Sequence, residues 1–126
     1  MTRRIINTPK APTPPPVYSQ AVVAGGLVFV SGHGPHDPAT GAIVGATIQE
    51  QTAQCLRNIR AVLEAAGSGL DRAVSATVIL YDEADFDGMN EEWLRWFPVD
   101  PPARQGARLP VKRPGMRISI AMIAQA

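Results

Sequence analysis

Apolar and polar positions along this chain change period several times, and each change marks an element. Val17 to Ala24 and Leu27 to Gly32 are two β-rich runs separated by Gly25-Gly26, which predicts a hairpin whose two turn residues need positive φ. From Thr47 the period becomes helical. Ile48, Thr52, Cys55, Leu56, Ile59, Val62, Leu63 and Ala66 recur on one face, while Gln51, Gln54, Arg57, Asn58, Arg60 and Glu64 take other faces. Thr47 with Glu50 three residues on has the form of a capping box, and Gly67 is a natural left-handed stop. Ala73 to Tyr81 alternates, placing Val74, Ala76, Val78 and Leu80 on a core face and Ser75, Thr77, Ile79 and Tyr81 on a mixed one. A second helix follows, with acids from Asp82 to Asp85 at its start and a stripe of Phe86, Met89, Trp93, Trp96 and Phe97 read as core. Pro98 ends it. Met116 to Ala124 is a last strand.

With the strand expected after Arg104, the order is β-β-α-β-α-β-β, an α+β pattern with two helices on one face of a mixed sheet. The other sheet face is then wet or covered by a second copy of the chain. At 126 residues one domain spans 1–126. Residues 8–16 carry Pro9, Pro12, Pro14, Pro15 and Pro16, so 1–16 reads as an extended, proline-rich lead-in.

Charge and cysteine usage narrow the function. Twelve basic residues against eleven acids give a net charge of +1, which supplies no whole-molecule pull toward nucleic acid or membrane. Any anion site must be local. Lone Cys55 lies on the apolar stripe as a small hydrophobe, no apolar run approaches the about 18 residues of a membrane span, and Arg3-Arg4 is not followed by a secretory core. A cytoplasmic protein is expected. His33, His36 and Asp37 crowd a proline-broken loop without a recognisable ligand spacing, so no metal and no cofactor is expected.

The chemistry gathers at Pro98-Val99-Asp100-Pro101-Pro102-Ala103-Arg104. Each proline fixes its own φ and biases its predecessor away from helix, so this connector delivers Arg104 with little freedom. A guanidinium so mounted suits a bidentate grip on a carboxylate. It could equally pair with one of the chain's own acids.

These residues, together with Pro16-Val17-Tyr18-Ser19-Gln20-Ala21-Val22, Phe29-Val30-Ser31-Gly32, Gln51, Asn58, Val62-Leu63-Glu64-Ala65-Ala66-Gly67, Asn90 and Trp93, give a chain that resembles the RidA family, also called YjgF, over nearly its whole length. The resemblance implies a chorismate-mutase-like fold assembled as a homotrimer around a central barrel, with clefts at the subunit boundaries. There Arg104 would bind the carboxylate of a 2-imino or 2-enamino acid, Tyr18 would line the pocket, Ser31 and Gly32 would lie beside the ligand, and Asn90 would shape the site. The implied reaction is hydrolytic deamination.

The family's water-positioning glutamate, 15 residues beyond the arginine, is here Ser119; its frequent cysteine two residues after the arginine is Gly106; and His33 stands where many relatives have glutamine. A serine holds water but takes no proton from it near neutral pH. Catalysis is therefore assigned to Arg104, Tyr18 and Ser119 with turnover on simple imino acids expected to be weak, and Ser119→Glu is expected to raise it if only the base is missing. The alternative is a trimeric small-carboxylate-binding protein, or an enzyme of different chemistry in the same cleft. RNA cleavage or translation inhibition is a third reading, resting on Arg108, Lys112, Arg113 and Arg117. The low net charge and the absence of aromatic residues among these cations argue against it.

Overall fold

The computed structural model describes residues 2–109 and 113–126. Its sheet has six strands: β1 (Arg4–Ile6), β2 (Ala21–Ala24), β3 (Leu27–His33), β4 (Ala73–Leu80), β5 (Ala103–Arg108) and β6 (Ile118–Gln125). Two helices, α1 (Ile48–Ala65) and α2 (Phe86–Trp96), complete the α+β pattern. Strand order is β1-β2-β3-β6-β4-β5, antiparallel throughout except for the parallel pair β4 and β5. C-terminal β6 thus enters between β3 and β4, and each helix is the crossover that lets the chain start its next strand in the same direction.

Local chemistry explains most boundaries. Gly25 and Gly26 both have positive φ, 59° and 77°, as the hairpin turn demands. Thr47 caps α1: its hydroxyl accepts from the Glu50 N–H at 3.1 Å while the Glu50 carboxylate accepts from the Thr47 N–H at 3.3 Å. At the other end Gly67 is left-handed at φ 83°, and the Gly67 and Ser68 amides donate to Glu64 and Leu63 in a Schellman closure. Cys55, Leu56, Ile59, Val62 and Leu63 from α1 and Met89 and Trp93 from α2 pack over Val28, Val78, Ile118, Ile120 and Met122 of the sheet. Burial pushes the Cys55 thiol up in pKa, which fits a packing role.

Four expectations need correction. A first strand, β1, lies within the lead-in, pairing Arg4–Ile6 with β2; with its short length and charged start it carries no alternation to read. Val17 and Tyr18 are exposed and precede β2, because Gln20 turns its side chain back to tie down the lead-in, accepting from the Thr8 N–H at 2.7 Å and donating to the Thr8 and Pro12 carbonyls. Val74 leaves the core face because the pairing of β4 with β6 shifts between Ala73 and Ser75. Phe86 is half exposed at the first turn of α2, outside the core stripe.

Polar residues of α1 assigned to outer faces are also buried where loops need donors. Gln51 donates to the Gly115 and Gly45 carbonyls at 2.7 and 3.1 Å and accepts from the Arg117 N–H at 2.8 Å. Asn58 donates to the carbonyls of Gly34 and His36 at 3.1 and 2.9 Å and accepts from Gln54 at 3.0 Å. Periodicity alone cannot see this, because an amide that satisfies loop carbonyls is as buried as a leucine. Asn58→Ala strands those carbonyls, so urea unfolding of the variant is expected to show a loss of about 1–3 kcal/mol. A midpoint equal to the parent's would mean that the 34–36 segment is held by other means.

Candidate active site

Arg104 leaves β5 on the helix side of the sheet. Its sheet neighbour Ala76 pairs in turn with Met122, and both are buried beneath the helices. Its Nη2 donates to Asn90 Oδ1 at 2.6 Å and its Nη1 approaches Met89 Sδ at 3.5 Å, both on α2. The guanidinium carbon sits 5.1 Å from the Trp93 ring centroid and 6.0 Å from that of Phe86, within cation–π range. Partial burial lowers its pKa from the usual value, yet an arginine stays charged at neutral pH. Among the described residues Arg104 makes no ion pair; the one bridge there joins Arg117 to Asp85 at 3.1 Å. The expectation of an internal acid for Arg104 is not met, and a fixed cation is left facing a cavity of about 590 Å³ that Gly106, Phe86 and Met89 also line. A Cβ at Gly106 would lie 3.3 Å from the Val78 carbonyl oxygen, so even cysteine would crowd this strand edge.

Tyr18, Ser31, Gly32 and Ser119 line a second cavity, of about 890 Å³. Ser31 is oriented by donating its hydroxyl to the Ser19 carbonyl at 2.6 Å. Ser119 belongs to the opposite sheet face from Arg104, since it pairs with Ile79, which in turn pairs with Ala107. The single chain therefore brings Arg104, Asn90 and Gly106 together, and separately Tyr18, Ser31, Gly32 and Ser119. It does not join the two groups.

Other parts of the site had no clear sequence signal. The Phe86 and Trp93 rings and Met89 cradle the guanidinium, though helical spacing reads them only as core. His33, expected as a surface or loop-stabilising residue, is buried at the end of β3 with Nε2 at 3.4 Å from the Gln20 carbonyl. Burial lowers its pKa, as it does that of half-buried His36, where Arg113 adds to the effect. No group of three or more His, Cys, Asp or Glu side chains among the described residues is arranged to hold a metal. Of the basic cluster, Lys112 lies outside the described residues, Arg117 is paired with Asp85, Arg108 lines the smaller cavity and Arg113 the larger. No helix among the described residues is long and apolar enough to cross a membrane.

A mixed sheet with both helices on one face, and an arginine presented at its parallel edge, defines an α+β protein built like the RidA-type structures. The chain belongs to the family described as Endoribonuclease L-PSP, the RidA/YjgF family, whose pattern matches residues 8–126. It is 44% identical over 123 residues to a RutC family protein of Saccharolobus solfataricus, covering 98% of each chain. It is 36% identical over 124 residues to the 2-iminobutanoate/2-iminopropanoate deaminase of Homo sapiens, covering 98% of this chain and 90% of that one. The crystal structure of E. coli TdcF with bound serine matches it with a TM-score of 0.90 at 32% identity, over 98% of both chains.

Proposed function

We propose that this protein is a homotrimeric hydrolase that deaminates small 2-imino or 2-enamino acids, holding the substrate carboxylate on Arg104 in a cleft between two protomers. The observation that carries the reading is the Arg104 guanidinium, fixed by Asn90 and backed by Trp93 with no acidic partner among the described residues. Such a group binds a small carboxylate through charge-assisted bonds that strengthen as water is excluded. Deaminases of 2-iminobutanoate and 2-iminopropanoate among the relatives, and serine bound in TdcF, supply the class of ligand: a short amino or imino acid.

Sheet parity supports a cleft between copies. With Arg104 on the helix side of β5 and Ser119 on the open side of β6, a neighbouring protomer that sets its Tyr18, Ser31, Gly32 and Ser119 against the β5 edge would complete the site. The open face carries Phe29, Ile79, Ala121 and Ile123, which a barrel of three sheets would cover. In that cleft Arg104 anchors, Tyr18 and Ser31 orient, and water attacks the imine carbon beside Ser119. Because an imine is intrinsically open to water, orientation alone contributes to its hydrolysis.

The alternative, a binding protein using the same cleft, is favoured by Ser119, which cannot take up the water's proton. An amino-acid oxidase or dehydratase generating 2-iminobutanoate or 2-iminopropanoate in situ separates the two. The deaminase reading expects faster loss of imine than in buffer from a particle of about three times 13.4 kDa. A correctly assembled trimer with no acceleration would leave only the binding role.

A further inference from the structure

We propose that Arg108 is a second carboxylate holder beside Arg104, and that the site takes 2-imino acids whose chain ends in a further carboxylate, two or three carbons beyond the first; the inference deepens the carboxylate-anchor reading above and rests on it.

Strand parity puts the two arginines on one wall. Along β5, Arg104, Gly106 and Arg108 pair with Ala76, Val78 and Leu80 of β4, and all three partners are buried in the core beneath the helices. Directly paired residues project to the same face of a sheet, so both arginines leave β5 on the helix side, while Gln105 and Ala107 leave it with Thr77 and Ile79 on the other. The residue between the arginines is Gly106, so no side chain of β5 stands between the two guanidinium groups. Both line the cavity of about 590 Å³, whose apolar wall is formed by Val78, Leu80, Phe86 and Met89. Cationic groups at two ends with an apolar wall between them match a short methylene chain that carries a carboxylate at each end.

The spacing sets the length of that chain. Four residues of strand separate the two Cα atoms by about 13 Å. A guanidinium that grips a carboxylate through two parallel N–H···O bonds holds the carboxylate carbon about 4 Å from its own central carbon. With about 4 to 5 Å between the terminal carbons of a four- or five-carbon diacid, two such grips span about 12 to 13 Å. Side chains standing side by side on β5 therefore meet both ends of one ligand. A monocarboxylate such as 2-iminobutanoate reaches only one.

Neither arginine forms an ion pair among the described residues, where the one bridge joins Arg117 to Asp85. Arg104 is held by Asn90 and Trp93, and Arg108 is exposed at the end of the strand. Glu83 is the single acid that lines the cavity; it is exposed, and it bridges to neither arginine. Its charge is thus held in water, where screening leaves it a weak competitor for a guanidinium.

Hydrolysis of such an imine consumes one water and releases ammonia and a 2-oxo diacid, which is a stable probe of the same two grips. Calorimetric titration at low ionic strength compares 2-oxoglutarate with 2-oxobutanoate. The parent is expected to bind 2-oxoglutarate about 10-fold more tightly, the effect of one added charge-assisted contact at a part-exposed site. Arg108→Gln should bring the two ligands level by weakening 2-oxoglutarate alone, and Arg108→Lys, which keeps the charge without the fork, should retain part of the preference. Circular dichroism of both variants should match the parent's, because the side chain is exposed. A parent that binds the two ligands equally, or a preference that survives Arg108→Gln, overturns the role of Arg108 and leaves the Arg104 anchor standing. A parent that shows the preference yet does not hydrolyse imines keeps the dicarboxylate site and loses the deaminase reading. A parent that binds neither ligand overturns both.

Discussion

Arg104→Ala is expected to abolish saturable binding of short keto and imino acids while leaving the fold intact. The side chain is exposed at the edge of the sheet, so its loss opens no core cavity. What disappears is a charge-assisted, bidentate contact that truncation experiments at desolvated sites place at about 2–5 kcal/mol, or roughly 30-fold to several thousand-fold in Kd. Asn90 Oδ1, now without the Nη2 donor at 2.6 Å, does not substitute, because an amide oxygen repels a carboxylate. Lysine at 104 should restore only a fraction. It keeps the charge, but it lacks the fork that bonds Asn90 and ligand together and the planar face that lies over Trp93. Calorimetric titration with 2-oxobutanoate measures this directly. Parent-like affinity in Arg104→Ala would remove the anchor from the site and with it the reason for reading the cleft as a carboxylate site.

The same residue shows how far a sequence can be read. Its stiff approach through Pro98, Pro101 and Pro102 is visible in the chain, and so are the hairpin at Gly25-Gly26 and both ends of α1, because each rests on chemistry local to a few residues. Partners that come from distant sequence are not visible in that way. Trp93 under the guanidinium, Asn58 holding the carbonyls of Gly34 and His36, and Gln20 tying the lead-in all depend on which elements meet, and a polar residue buried against a loop has the same local pattern as one in water. Sheet parity belongs to this second kind. Ser119 and Arg104 are separated by an odd number of residues in sequence, yet only the pairing of both strands with β4 reveals that they leave the sheet on opposite faces.

On the proposed reading that parity would make assembly a condition of activity, and Ala121→Arg tests it with the largest structural consequence. Ala121 lies on central strand β6, in a row with Thr77 and Gln105 on the face the helices leave uncovered, and it is half buried there. Its side chain points away from the core of Ile118, Ile120 and Met122, so an arginine in the isolated protomer is free to extend into water. In a trimeric barrel it cannot. Three-fold symmetry would bring three like charges toward one axis within a shell of Ile79, Ala121 and Ile123 side chains, and each unpaired buried charge costs several kcal/mol. The variant is expected to run at 13.4 kDa by light scattering, against about three times that for the parent. Its circular dichroism should stay native and its imine hydrolysis should be lost, because Arg104 of one copy no longer meets Ser31 and Ser119 of the next. A monomeric Ala121→Arg that retains full turnover would place the whole site within one chain; a trimeric one would show that the open face of the sheet is not where the copies meet.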